Sequence, residues 1–211
     1  LNTFDLIMAR VAKVNKQNFY KRMIEYIKAA KIYTKDVLPD GMSAIIGSRI
    51  DEKTYNASLN TKCYMEEKNE ISSKFIDVFL DVLSLYCYNK EFEPEKYIVD
   101  NIKRKKILTL SPEEIDDNAE RVCKAIDRAM FFLQTRCGIR SIQEINYTLM
   151  LVLIASVFMK DEWFGDKNVH GILEAWYWSS IFGGEYDKNQ NTVVIIHLQS
   201  MIKTLKKEQG N

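Results

Sequence analysis

Apolar residues recur along this chain mainly at the three- and four-residue spacing of an α-helix. The clearest stripe lies between Phe75 and Tyr86, and the run from Leu149 to Met159 is apolar almost throughout. Only 8 glycines and 3 prolines occur among 211 residues, whereas sheet proteins need frequent turn residues. The pattern therefore predicts an all-α fold, an irregular bundle of about eight helices.

Turn residues, caps and changes in spacing separate the predicted helices. These helices cover residues 4–13, 19–30, 75–86, 94–106, 112–137, 142–160, 168–182 and 192–207. Thr3 is the expected N-cap of the first helix. After the turn at Pro39-Asp40-Gly41, the stretch near 40–70 is polar and loop-rich, with one short helix near 42–49 as an option. We expect a single helical domain over residues 1–211.

Two local signals place helix ends. Ser111-Pro112-Glu113-Glu114 has a capping serine, a proline that presets the backbone and a glutamate that completes a capping box. Gly138 is expected to end the helix that starts there. The β-branched run 193–196 would also suit a strand, but helical spacing continues from it to Leu205, which favours a helix.

Aromatic residues crowd the stretch before the last helix. Trp176, Tyr177 and Trp178 are adjacent, so at about 100° per residue they cannot all face the same way. One or two of them should pack in the core, and another could stack on a nucleic-acid base or pack on a neighbouring domain. The polar stretch 183–191 is interpreted as a connection, with Gly183 as C-cap and Asn191 as N-cap. Tyr186, within this connection, should find a place to bury its ring.

Composition limits the classes of function. The 30 basic and 29 acidic residues leave a net charge of +1, so no global field draws the chain to nucleic acid or membrane. The longest apolar run is too short to span a bilayer, and we expect a cytoplasmic protein that does not enter a membrane. His170 and His197 lack metal-ligand spacing, and no metal site is predicted. The four cysteines suggest small buried thiols in a reducing compartment.

The basic cluster contains Lys103, Arg104, Lys105 and Lys106. Such a cluster can contact nucleic-acid phosphates. The alternative is a solvated helix C-terminus, where cations are favoured by the helix dipole. The acidic residues 113–120 fit a helix N-terminus for the converse reason. No Ser-His-Asp, Cys-His or paired-carboxylate arrangement can be identified, so no catalytic residue is predicted.

Several short stretches, in a consistent order along the chain, resemble segments of one known family. They are Leu1–Ala9, Ile107–Ile115, Gly138-Ile139, Ile145–Tyr147 and Leu173–Trp178, with Tyr186 following. The family is the GmrSD-type restriction endonucleases, in which a helical region follows a ParB-like domain. The chain resembles that helical region only. Asn146 replaces a usual proline, and Glu185 stands where the family often has arginine.

The resemblance implies a role in bacterial or archaeal defence against foreign DNA, including phage DNA. In that family, nucleotide hydrolysis belongs to the ParB-like domain and some members add an HNH-type nuclease domain. This chain has neither the Asp-Gly-Gln-Gln-Arg-like nucleotide motif nor a His-Asn-His signature. The chain is therefore expected to be a fragment whose partner is an upstream ParB-like domain of the same protein. A nucleoside triphosphate and a divalent metal would belong to the missing domains, with no cofactor here.

Three functional hypotheses remain open at this point. The first is a helical support domain, not catalytic alone, that relays nucleotide or DNA binding to an effector. The second is a stand-alone nucleic-acid-binding module that uses residues 103–106, with Trp178 or Tyr186 as a stacking platform. The third is a protein-interaction scaffold, which requires an exposed apolar patch.

Overall fold

The computed structural model of the protein describes residues 3–10 and 72–209, and within them the fold is all-α, without a strand. The α-helices are α1 (Thr3–Arg10), α2 (Ser73–Tyr88), α3 (Arg104–Ile107), α4 (Pro112–Phe132), α5 (Thr148–Phe158), α6 (Asp161–Gly165), α7 (Lys167–Gly183) and α8 (Gln190–Gln209). The predicted fold class is confirmed. The predicted helix after Asn18, the turn at 39–41 and the loop-rich stretch near 40–70 lie outside the described residues.

Helix α5 lies at the centre of the bundle. Every residue from Met150 to Phe158 is buried, and helices α2, α4 and α8 pack against it. A helix that is apolar on all sides has to be enclosed by other elements. The apolar run in the sequence is therefore a core helix. In the described residues, no helix combines the length and apolar character needed to cross a bilayer.

Helix α4 begins at the predicted capping box. The Glu114 N–H donates to Ser111 Oγ over 3.1 Å, and the Ser111 N–H donates to Glu114 Oε2 over 2.9 Å. Together these bonds satisfy two backbone donors that a helix start would otherwise leave unpaired. The helix passes into a wider π turn over Leu133–Cys137, and Gly138 then ends it with φ of 73°. Both predicted ends are confirmed.

The predicted helix from Pro94 to residue 106 is wrong. The chain instead forms two 3₁₀ turns, Pro94–Lys96 and Val99–Ile102, followed by the one-turn helix α3. Tyr97, Ile102 and Ile107 are all buried, and their five-residue spacing does not fit one face of a helix. Burying all three requires the chain to bend between them, which explains the broken structure.

The helix predicted over 142–160 is shorter than expected. Residues Ile142–Glu144 form a 3₁₀ turn, and α5 starts only at Thr148. The five-residue helix α6, which was not predicted, follows and buries Trp163 and Phe164. Tertiary burial of two large aromatic rings outweighs the weak local preference of such a short segment.

The last two helices are confirmed, including the choice of helix over strand for 193–196. Their caps differ from the prediction by one or two residues. Gly184, with φ of 63°, occupies the C-cap of α7. The Asn189 carbonyl accepts from the Thr192 and Val193 N–H groups, so Asn189 is the N-cap of α8. At the start of the chain, Thr3 is already the first residue of α1.

Candidate functional site

The residues selected from the sequence lie in two structurally different places. Lys103, Arg104, Lys105 and Lys106, here called the basic segment, lie at the surface in and just before α3. Trp178 lies on α7, and Tyr186 lies in the connection between α7 and α8. The basic segment and the aromatic residues are therefore described separately.

Two lysines of the basic segment already have partners. Lys103 Nζ lies 2.6 Å from Asp100 Oδ1, with both side chains mostly exposed. The hydrogen bond from Lys103, helped by its charge, lowers the pKa of Asp100. Lys106 Nζ lies 4.0 Å from the centre of the Tyr88 ring, within the range of a cation–π contact. Arg104 and Lys105 are exposed.

A shallow concave surface of about 430 Å³ adjoins these lysines, lined by Asp100, Lys103, Lys105, Lys106 and Thr109. Hydrogen bonds fix the Thr109 side chain at this surface. Tyr88 Oη lies 2.7 Å from Thr109 Oγ1, and both hydroxyls lie within hydrogen-bond distance of the Lys106 carbonyl. Ammonium groups beside a hydroxyl are suitable partners for a phosphate group, although the Asp100 carboxylate opposes an anion there.

Trp178 is half-buried at the end of α7. Its ring is stacked with that of Phe182, with centroids 5.8 Å apart and planes 22° apart, and meets Tyr177 edge-on at 5.3 Å. Phe182 is 83% exposed. Sequence reasoning missed Phe182, although its position four residues after Trp178 predicts that the two rings meet on a helix. Phe182 is therefore the more accessible of the two stacked rings.

Tyr186 is fully buried, with 0% of its surface exposed. Its ring packs 5.9 Å from Tyr147, 6.3 Å from Trp176 and 5.5 Å from His197. We call these four residues the aromatic corner. The expectation that Tyr186 buries its ring is confirmed. The ring has no exposed face, so in this structure it is not available as a stacking platform for a base.

His197 joins the polar groups of the aromatic corner. Its Nδ1 lies 3.1 Å from Trp176 Nε1 and 3.2 Å from Tyr186 Oη. Because an indole N–H can only donate, Nδ1 acts as the acceptor, and Nε2 is then the ring nitrogen that carries a hydrogen. That nitrogen faces Glu185 Oε2 at 3.4 Å, and the same oxygen accepts from Ser180 Oγ over 3.0 Å. The carboxylate lies between serine and histidine, which differs from the order of a nucleophilic triad.

The connection between α7 and α8 is held from its other side by Tyr147, whose hydroxyl donates to Asp187 Oδ1. This hydrogen bond raises the pKa of Tyr147. Gly184 allows the tight turn, because a Cβ there would lie 2.9 Å from Asp187 Oδ2 and its φ of 63° favours glycine. The connection is therefore a fixed part of the bundle, and the geometry of the aromatic corner is that of a packed joint.

The three cysteine thiols in the described residues are wholly or partly shielded from solvent. Cys123 and Cys137 are buried and Cys87 is half-buried. Burial raises the pKa of the Cys87 thiol to about 11 and that of Cys137 to about 12, so both stay protonated and unreactive. Cys123 and Cys137 fit the predicted buried thiols, Cys87 is only half-buried, and Cys63 lies outside the described residues. Within residues 3–10 and 72–209, no three His, Cys, Asp or Glu side chains form a group that could hold a metal ion.

His170 is enclosed by aromatic rings. Its ring centroid lies 4.9 Å from that of Phe158 and 5.7 Å from that of Phe132. Its Nε2 lies 2.7 Å from the Phe164 carbonyl. Burial lowers the pKa of His170 to about 4, so the ring is neutral near pH 7. Its position fits a core histidine.

Comparison of the chain with protein-family models, with curated proteins and with solved structures finds no significant match. The resemblance to the GmrSD-type family therefore stays a prediction drawn from the sequence.

Proposed function

We propose that this chain is the helical support domain of a GmrSD-like DNA-targeting defence protein and is not catalytic by itself. In this proposal, an upstream ParB-like domain carries nucleotide chemistry. The helical domain relays nucleotide or DNA binding to an effector through a rigid bundle.

The observation that carries this proposal is the meeting of separate motif elements in the aromatic corner. Tyr147 ends one family-like stretch, Trp176 lies in a second, and Tyr186 follows it. The Tyr186 ring lies within 5.9 Å of Tyr147 and 6.3 Å of Trp176, centroid to centroid. These three residues come from separate family-like stretches of the sequence, and they pack together in the fold. They therefore form one structural unit, as we expect of a support domain.

Nucleotide hydrolysis tests whether the chain is catalytic alone. Phosphate release from ATP and GTP with Mg²⁺ should not exceed the rate without protein. Hydrolysis that a substitution inside this chain abolishes would overturn the proposal. In a parent protein where a ParB-like domain precedes Leu1, Tyr147→Phe removes the hydrogen bond to Asp187 but does not touch the domain that would hydrolyse the nucleotide. It should therefore lower nucleotide-dependent DNA cleavage more than nucleotide hydrolysis. Equal losses would argue against a relay.

The second candidate is a stand-alone module that binds the phosphates of nucleic acid. One observation favours it: three lysines and a threonine hydroxyl line an open concave surface. Lysine ammonium groups bind phosphates as mobile point charges. Phosphate contacts of this kind give affinity with little sequence information.

Salt-dependent binding of labelled single-stranded and duplex DNA tests this candidate. The triple substitution Lys103→Gln, Lys105→Gln and Lys106→Gln should weaken binding and reduce the salt slope by about three, or roughly one for each neutralised lysine that had met a phosphate. The matched control replaces Lys167, Lys188 and Lys207, which are also exposed, with glutamine. Equal losses of affinity from both triples would indicate a general charge effect, and salt-independent binding would exclude phosphate contacts as its source.

A further inference from the structure

The outer face of α8 carries an exposed isoleucine beside a hollow. Ile196 is 55% exposed in the middle of this 20-residue helix. The hollow has a volume of about 490 Å³ and is lined by Pro94, Glu95, Ile196, Gln199, Ser200 and Lys203. Ile196, Ser200 and Lys203 follow one another at helical spacing, so they share one stripe of the helix. An exposed apolar side chain therefore lies at the edge of a hollow whose other lining residues, apart from Pro94, are polar or charged.

Hydrogen bonds beside the hollow join the two chain segments that line it. Gln199 Nε2 donates to the Tyr97 carbonyl over 2.7 Å. Lys206 Nζ donates to the Glu91 carbonyl over 3.2 Å, further along α8. These bonds tie α8 to the segment that carries Pro94 and Glu95. The shape of the hollow therefore belongs to the folded chain before any partner binds, which lowers the entropy cost of binding.

The two walls of the hollow carry opposite charges. Glu95 lies on the 3₁₀-turn side and Lys203 on the α8 side, and both are exposed. Neither one pairs with an opposite charge among residues 3–10 and 72–209. A partner that offered a cation to Glu95 and an anion to Lys203 would satisfy both.

A second copy of this chain meets these requirements. We propose that the hollow and Ile196 form a two-fold symmetric contact between two copies. In such a contact each surface faces itself, so a residue pair occurs twice. Ile196 of each copy enters the hollow of the other, and Glu95 of each copy faces Lys203 of the other. The net charge of +1 leaves little repulsion between copies. This proposal does not depend on the proposed function.

The oligomeric state in solution tests the contact. Light scattering and sedimentation of the full chain should show a concentration-dependent dimer. Ile196→Asp should convert it to a monomer, because the substitution places a charge in the centre of the contact. The matched control is Phe182→Asp, which puts the same charge on another exposed apolar residue and should leave the dimer intact. Circular dichroism checks that both variants keep their helices.

Charge reversal identifies which residues meet. Glu95→Lys alone and Lys203→Glu alone should each weaken the dimer about tenfold, because two symmetric pairs change from attraction to repulsion. The double variant Glu95→Lys with Lys203→Glu restores opposite charges and should recover most of the affinity. A wild-type chain that stays monomeric, equal effects of the two aspartate variants, or a double variant no better than the single ones would each overturn the proposal.

Discussion

The aromatic corner and the basic segment use polar groups in opposite ways. In the aromatic corner, Tyr186 is fully buried and its hydroxyl faces His197 Nδ1 at 3.2 Å. In the basic segment, the charged groups face solvent and make exposed contacts such as that of Lys103 with Asp100. Buried hydrogen bonds are costly to leave unmade, whereas exposed ion pairs contribute little to stability. The corner should therefore control folding, and the segment should control binding.

The largest expected effect is on the aromatic corner. Tyr186→Ala should lower the free energy of unfolding by about 3–5 kcal/mol, because it leaves a cavity and removes a buried ring. The comparison variant is Phe182→Ala, which truncates a ring that is 83% exposed and should cost less than about 0.5 kcal/mol. Urea unfolding of both variants measures the difference. Similar midpoints for the two would mean that the corner is not the stabilising unit described here.

Acid should destabilise the folded state through the buried His170. Its pKa in the fold is lowered to about 4 from the ordinary value of 6.5, mainly by burial. The unfolded chain therefore takes up a proton at a higher pH than the folded one, and unfolding becomes easier as pH falls. Stability linked to His170 should be complete above about pH 6.5 and be lost as the pH falls to about 4, by a few kcal/mol in total.

The measurement is the difference in unfolding free energy between the wild type and His170→Gln, followed from pH 8 to pH 4. This difference should shrink toward low pH. Asp81 acts in the opposite direction, since burial and the nearby Asp77 raise its pKa to about 8, but its contribution cancels in the comparison. A difference that does not vary with pH would show that His170 does not titrate during unfolding.

A smaller effect is expected where the connection turns. Gly184→Ala should destabilise the fold by about 1–2 kcal/mol, because alanine disfavours positive φ and its Cβ would meet Asp187. Gly171→Ala, inside α7, has open space around it and should stabilise by about 0.5–1 kcal/mol, since alanine favours a helix. Thermal unfolding should thus shift in opposite directions. Shifts of the same sign would contradict the assigned role of Gly184.

Local chemistry explains which parts of this fold the sequence predicts. The capping box at Ser111 and Glu114 uses residues three apart, and the stripe from Phe75 to Tyr86 follows helical spacing. Both are therefore visible in the sequence alone. The segment from Pro94 to Ile107 is different, because its form follows from burial of Tyr97, Ile102 and Ile107 against distant helices. No window of neighbouring residues contains that information.

The same distinction applies to the candidate site. The basic segment is a run of adjacent residues, so its charge is evident from the sequence. The bonds of His197 with Trp176 and Tyr186 depend on how α7 and α8 lie side by side, and nothing in the spacing of these residues predicts them. Exposure of Phe182 is equally a product of packing. Sequence reasoning therefore predicted that Tyr186 is buried, but it could not assign which of Trp176, Tyr177 and Trp178 packs in the core. It also missed Phe182.

The smallest expected effect sharpens the role of the basic segment. Asp100→Asn removes the carboxylate that lies 2.6 Å from Lys103 Nζ. Because this ion pair is exposed, the free energy of unfolding should stay close to that of the wild type. DNA binding, by contrast, should strengthen about two- to threefold, since Lys103 is released and one repulsive charge is removed from the concave surface. Anisotropy titrations at low salt measure this gain, with Asp117→Asn, also exposed, as the control. If both variants gain equally, only net charge matters. If Asp100→Asn alone gains, the phosphates bind beside Lys103, and the segment contributes to binding while leaving stability to the aromatic corner.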